Sequence, residues 1–369
     1  MIMRGLNILS IVIATSMLVA CVGKTALLTE EDMAGYVMVY HKDCDHGLHM
    51  AYSHDGYEWT ALNDDRPIMA GDTIAEQHGI RDPYIMRGPD GGFCMAMTDL
   101  HVFGQRDSVR TTQWERPRKY GWGNNRGLVL FKSMDLIHWK RTNLDFTTLT
   151  SPTGEVDEEG NPIPWSEVGC VWAPEMTIDD TNGRILMHFT TRMLDLRNRI
   201  YCVYMNDAFD TMTSDPKLLF HSVTDAHGNP RFNMIDSHIL KVGDTYHLFA
   251  SEHGWGKHAT GACITGPYTL DTLYSDGEPL RHEAPTIWKR LGEERWVLMY
   301  DNYSKNPTNF GFAETTDFKT FTSIGHFDEP GCPMTRTNFA EQKHGSVMPV
   351  TKQELQRLIE HWEKTYLFH

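Results

Sequence analysis

Positive charge is what this sequence has least of: 34 Lys and Arg stand against 49 Asp and Glu in 369 residues, a formal net charge of −15. Phosphate recognition needs a basic surplus, so the balance argues against nucleic acid as a partner. The seven cysteines are scattered, with no C-x-x-C and no zinc-like Cys/His spacing, which argues against a zinc site and a disulfide framework. There is no glycine-rich phosphate loop, no G-x-S-x-G and no H-E-x-x-H. The N-terminal apolar run is too short and interrupted for a transmembrane helix. Disorder is excluded from the other side, because 40% of residues are hydrophobic and 11% aromatic. What remains is a large folded chain, of a length that allows one large domain or two ordinary ones.

The first segment reads as a targeting signal. One cation, Arg4, precedes Ile8-Leu9-Ser10-Ile11-Val12-Ile13-Ala14, and the run ends Leu18-Val19-Ala20-Cys21. That ending resembles a bacterial lipobox, which implies cleavage before Cys21, lipidation of its thiol and a lipid-anchored place in the bacterial cell envelope. An ordinary signal peptide with an incidental cysteine is the alternative. Residues 1–21 are therefore set apart, and residues 22–369 are read as one folded domain.

Internal repetition carries the fold. Four segments open with Asp82-Pro83-Tyr84-Ile85, Trp172-Ala173-Pro174-Glu175-Met176, Asp236-Ser237-His238-Ile239 and Glu283-Ala284-Pro285-Thr286-Ile287. Each reaches a turn about eight residues later, such as Asp90-Gly91-Gly92 or Asn182-Gly183, and continues into a second apolar run. A hydroxyl-x-Asp-x-x-x-aromatic signature closes several units: Ser53 to Trp59, Ser133 to Trp139 and Thr315 to Phe321. Its Asp suits a turn that receives backbone N–H groups, and its aromatic suits the gap between sheets. Asn206-Asp207-Ala208-Phe209 reads as a degenerate copy. About 70 residues per unit is the size of a four-stranded propeller blade. A fifth unit would combine the N-terminal runs from Tyr36 and His49 with a strand at His344–Val350, closing the ring from both chain ends. The fold class is all-β, a five-bladed β-propeller with a short C-terminal helix. That helix follows the capping box Thr351-x-x-Glu354 and carries Leu355, Leu358, Ile359 and Trp362 on one face, for packing on the propeller's side.

In a propeller the first strand of each blade lines the central channel. Asp82, Asp236 and Glu283 read as occupying one place in their repeats, with Trp172 in that place in the remaining unit, so three carboxylates converge on one pocket with Trp172 as its wall. Crowded carboxylates have at least one raised pKa, which separates an acid from a base. Two carboxyls across a sugar, one protonated, are the apparatus of glycoside hydrolysis. The ten Trp, fourteen Tyr and nineteen His suit a site that stacks on sugar rings, although aromatics also fill all-β cores.

Gly79-Ile80-Arg81-Asp82-Pro83, Val171-Trp172-Ala173-Pro174-Glu175, Ile235-Asp236-Ser237-His238-Ile239 and His282-Glu283-Ala284-Pro285-Thr286-Ile287 resemble, in order, the four blade openings of glycoside hydrolase family 43. The similarity covers roughly residues 35–350. The resemblance implies an inverting, exo-acting glycosidase of plant polysaccharide side chains or oligosaccharides. It matches Asp82 to the general base, Glu283 to the general acid and Asp236 to the third carboxylate, which tunes and orients the acid. The family usually has Asp-Pro after that third acid, whereas here it is Asp236-Ser237. His344, in His-Gly-Ser-Val, resembles the channel histidine that lies near a bound Ca²⁺ or a water cluster, with a structural histidine as the alternative. No cofactor is otherwise required. Arg81, Trp172, Glu175 and His253 are the expected sugar contacts. So are Trp114 and Trp122, from the basic, aromatic insertion His101–Gly127, for which a solvated or oligomer-contacting loop is the alternative. A second insertion, Ser151–Glu167, precedes Trp172. An α-L-arabinofuranosidase is the first reading, a β-xylosidase or exo-β-galactosidase the second. A retaining fructan hydrolase would need an Asn-Asp-Pro motif that is absent. A non-catalytic glycan-binding propeller is the rival from another class, and the three intact acids count against it.

Overall fold

A computed structural model describes residues 28–104, 118–157, 159–220, 222–224, 230–231 and 233–366. Residues 1–27, with Cys21 and the expected targeting signal, and Trp114 of the first insertion lie outside the described residues. Five antiparallel sheets are arranged as blades. The first holds Ile80–Arg87, Phe93–Asp99, Gly127–Ser133 and Trp139–Asp145; the second Cys170–Asp179, Arg184–Arg192, Asn198–Tyr204 and Lys217–Phe220. The third holds Met234–Val242, Thr245–Glu252, Trp255–Gly261 and Tyr268–Leu270; the fourth Glu283–Lys289, Trp296–Asn302, Asn309–Thr315 and Thr322–His326. The closing blade joins both ends of the chain: Lys343–Thr351 pairs with Met33–His41, placing Tyr36 opposite Pro349 and Val39 opposite Ser346. Leu48–Ser53, Glu58–Ala61 and the parallel edge strand Thr335–Arg336 complete it.

Alternating side chains on each strand meet those of the next sheet, so the apolar core is divided into five clusters, one between each pair of neighbouring blades. The closing signatures hold the outer turns. Asp55 accepts the N–H groups of Tyr57 and Glu58 at 2.7 and 3.0 Å, and Ser53 Oγ accepts that of Gly56 at 2.8 Å. Asp135 and Asp317 repeat this geometry. In the degenerate copy Asn206 Oδ1 takes the N–H groups of Asp210 and Thr211 instead. Trp59 is buried edge-on against Trp288 of the fourth blade, with ring centroids 6.3 Å apart.

The helix Lys352–Tyr366 packs on the propeller's side, as its apolar face predicts. Thr351 and Glu354 form the capping box, at 2.8 and 3.3 Å, and Arg87 forks onto the Glu354 carboxylate at 2.8 and 2.7 Å. Leu355 and Leu358 are buried between the closing and first blades. Leu358→Ala should therefore lower the unfolding free energy by about 2–5 kcal/mol, measured by urea denaturation. A change under about 0.5 kcal/mol would mean that the helix contributes no core. The described cysteines, Cys44, Cys94, Cys170, Cys202, Cys263 and Cys332, are all free thiols. Among the described residues no helix is long and apolar enough to cross a membrane.

Candidate active site

The five first strands contact one another around the channel, and each is interrupted near its start by a one-residue bulge. The bulged residue has a left-handed backbone in every blade: Asp82 (φ 52°), Ala173 (46°), Asp236 (55°), Ala284 (58°) and His344 (30°). Such strain in non-glycine residues costs about 1–3 kcal/mol each and is characteristic of functional sites, where a bulge re-aims a side chain. This geometry corrects the sequence alignment of the acids. Asp82 and Asp236 are equivalent, but Glu283 and Trp172 stand one residue earlier, in the register of Arg81, Ile235 and Lys343. Pro83, Pro174 and Pro285 mark the shared register.

The three acids nevertheless interact as one cluster. Asp82 Oδ1 lies 3.1 Å from His344 Nδ1, and Asp82 Oδ2 accepts the Thr98 hydroxyl at 2.6 Å. Burial pushes the Asp82 carboxyl up, but the His344 charge and hydrogen bond, helped by Arg81, hold it well below the usual carboxylate range. His344 responds in the opposite sense: burial lowers it, Asp82 overcomes that, and it rises to about 9. Glu283 is partly exposed at the mouth. Burial and the nearby Asp301 carboxylate raise it to about 7, against the pull of Lys343, His344 and Arg81. Asp236, 6% exposed, is raised well above its ordinary value by burial, with Glu283, Asp82 and Glu175 adding to the shift. The site thus holds one carboxylate of lowered proton affinity beside two of raised affinity.

The other expected residues fall in three places. Trp172 and Trp122 meet at the rim, ring centroids 6.1 Å apart, and Trp122 is 67% exposed. Arg192 lies over Trp172 at 4.5 Å, and the Trp172 indole donates to Gly123 O at 2.8 Å. A Cβ on Gly123, whose φ is +65°, would stand 3.0 Å from Trp172, so the insertion approaches through a glycine. Arg81 is buried and paired with Asp43, which also faces Lys343 at 3.7 Å. Glu175 lies away from the rim, 3% exposed, with its carboxylate against His238 Nδ1 at 2.7 Å. His253 is exposed in the turn between the second and third strands of the third blade, on the same face as the acids. His344 faces Asp82 at 3.1 Å and offers no oxygen ligand, so it would meet a channel Ca²⁺ only through water. No group of three or more His, Cys, Asp or Glu among the described residues is arranged to hold a metal.

Asp301, Thr98, His41, Lys343 and Asp43 complete the site and were not anticipated. All but Asp43 lie at or near strand ends, where nothing in the local pattern distinguishes them. Only the equivalence of strands across blades reveals them.

Residues 31–356 match the family described as "Probable glycosyl hydrolase domain", related to glycoside hydrolase family 43. No curated protein matches this sequence. Among solved structures, an endo-1,4-β-xylanase of Bacteroides thetaiotaomicron is 11% identical over 82% of this chain and 93% of its own, with a TM-score of 0.53. A xylan β-1,4-xylosidase of Bacillus halodurans is 14% identical over 79% of this chain and 52% of its own, with a TM-score of 0.53. A family-43 protein of Bacillus licheniformis is 16% identical over 84% and 55%, with a TM-score of 0.51. This chain spans about half the length of the latter two. At these identities the structural likeness establishes the fold alone, and the family match establishes descent: the chain belongs to the probable glycosyl hydrolase family related to glycoside hydrolase family 43, and is a glycosidase.

Proposed function

We propose that the protein is an inverting, exo-acting glycosidase, an α-L-arabinofuranosidase of plant polysaccharide side chains or oligosaccharides, held at the cell envelope through Cys21. The observation that carries the mechanism is the opposed proton affinity of Asp82 and Glu283. In this reading Asp82 takes a proton from a water on one face of the sugar ring as that water attacks the anomeric carbon. Glu283, protonated up to about pH 7, donates to the leaving oxygen on the other face as the glycosidic bond breaks. Asp236 lies on the acid's side of the cluster, where its carboxyl interacts with that of Glu283 and tunes and orients the acid. Trp172 and Trp122 offer apolar faces for sugar stacking at the rim.

Each part of the reading meets a separate measurement. Proton NMR during hydrolysis should detect the anomer opposite to the substrate's as the first product; retention would remove the base role from Asp82. A panel of nitrophenyl α-L-arabinofuranoside, β-xyloside and β-galactoside should give the arabinofuranoside the highest kcat/KM. Preference for either other sugar would replace the specificity without touching the mechanism. Binding of oligosaccharides with no turnover of any would return the glycan-binding alternative.

A further inference from the structure

One position in each blade follows a common rule with a single exception. Thr98, Thr190, Ser251, Asp301 and His41 sit on the second strands, paired across the ladder with Arg81, Trp172, Ile235, Glu283 and Lys343. From there four of them latch the neighbouring blade by accepting the N–H of its left-handed residue. Thr98 takes that of Ala173 at 2.8 Å, Thr190 that of Asp236 at 3.0 Å, His41 that of Asp82 at 3.2 Å and Asp301 that of His344 at 3.2 Å. Ser251 holds the fifth position with its hydroxyl buried and unbonded. A hydroxyl is enough for this latch in the first and second blades. His41 performs it neutral, because burial and Arg81 keep its imidazole far below its ordinary value. Only the blade that carries Glu283 uses a carboxylate there, 1% exposed; burial raises its own proton affinity, and Lys343, the Thr308 hydroxyl and the charge and N–H of His344 oppose that rise.

We propose that Asp301 is the positioning residue that couples the two halves of the site, its charge acting on Glu283 across the ladder and its latch fixing the His344 that pairs with Asp82. The inference rests on the reading of Glu283 as the general acid. Asp301 is bound on both oxygens, by the His344 N–H and by the Thr308 hydroxyl at 3.0 Å, so its carboxylate has one orientation. After burial it is the leading cause of the high proton affinity of Glu283. The other titratable groups acting on Glu283 come from separate elements: Lys343 and His344 of the closing blade, Arg81 of the first and Asp236 of the third. The three cationic groups favour ionised Glu283, which leaves Asp301 as the opposing charge within its own blade.

The blades themselves supply the test. Asp301→Thr installs the latch of the first and second blades and removes the charge. Without a neighbouring carboxylate Glu283 ionises more readily, so the basic limb of the kcat/KM profile should move down by about one pH unit, with a smaller loss of kcat than in a variant that also lacks the latch. Asp301→Asn, close in volume and still an acceptor, gives the same readout if the threonine variant does not fold. Asp301→Ala removes latch and charge together and should lower kcat as well as shift the limb. An unmoved basic limb in folded Asp301→Thr or Asp301→Asn overturns the proposal. Glu283→Gln, assayed beside them with good and poor leaving groups, tests the acid assignment separately and so distinguishes the two failures.

Discussion

Asp82→Asn should lower kcat/KM by about 10²–10⁴ on every substrate, whatever its leaving group. The size follows from what the carboxylate does and from how much structure is devoted to keeping it charged. Burial alone would raise its proton affinity; the His344 imidazole at 3.1 Å, with Arg81, reverses that, and the Thr98 hydroxyl holds its other oxygen at 2.6 Å. The amide still accepts from Thr98 but cannot take a proton from water, and this defect is felt before the leaving group matters. The variant also strands a buried cation, because His344 loses the charge that raises it to about 9. His344 should then titrate well below that value, visible in the imidazole NMR shifts of the folded variant. Near-normal turnover by Asp82→Asn would mean that the site is misplaced.

Glu283→Gln should separate substrates instead of reducing them together. On a natural oligosaccharide the departing alkoxide needs a proton, and the loss should reach about 10³-fold or more; on a dinitrophenyl glycoside, whose leaving group departs unaided, it should be under about tenfold. The pH dependence has the same origin. Glu283 works only while protonated, so wild-type kcat/KM should fall about tenfold per pH unit above roughly pH 7, and this limb should disappear from Glu283→Gln acting on the activated substrate. Asp82 is needed ionised, and its depressed affinity places any acidic limb below the usual carboxylate range. Equal losses on both substrates would take the acid role from Glu283.

Much of this site was legible because its parts are local. Asn182-Gly183 and Asp90-Gly91 announce hairpins, Ser-x-Asp announces the outer turns, and a carboxylate beside a blade-opening proline announces a channel mouth. The one-residue offset of Glu283 was not legible. A bulge is a property of two strands, and aligning the acids by charge hid the offset that the prolines preserve. Glu175 was misleading for a related reason: it follows Trp172 closely in sequence, yet the bulge and the strand's alternation send one to the rim and the other inward to His238. Asp301 ends an ordinary apolar run, Trp296–Tyr300, and acquires meaning only through its cross-strand neighbour and the blade beyond.

The strand Lys343–Thr351 both closes the ring and carries Lys343 and His344 into the channel. It also follows every other blade strand in the chain. During synthesis Met33–His41 must wait with one edge unpaired until the other four blades have been made, and for the same interval Asp82 lacks the His344 that lowers its proton affinity. A chain without this strand therefore has an open ring and an unpaired Asp82 together, so closure of the fold and preparation of the base are a single event.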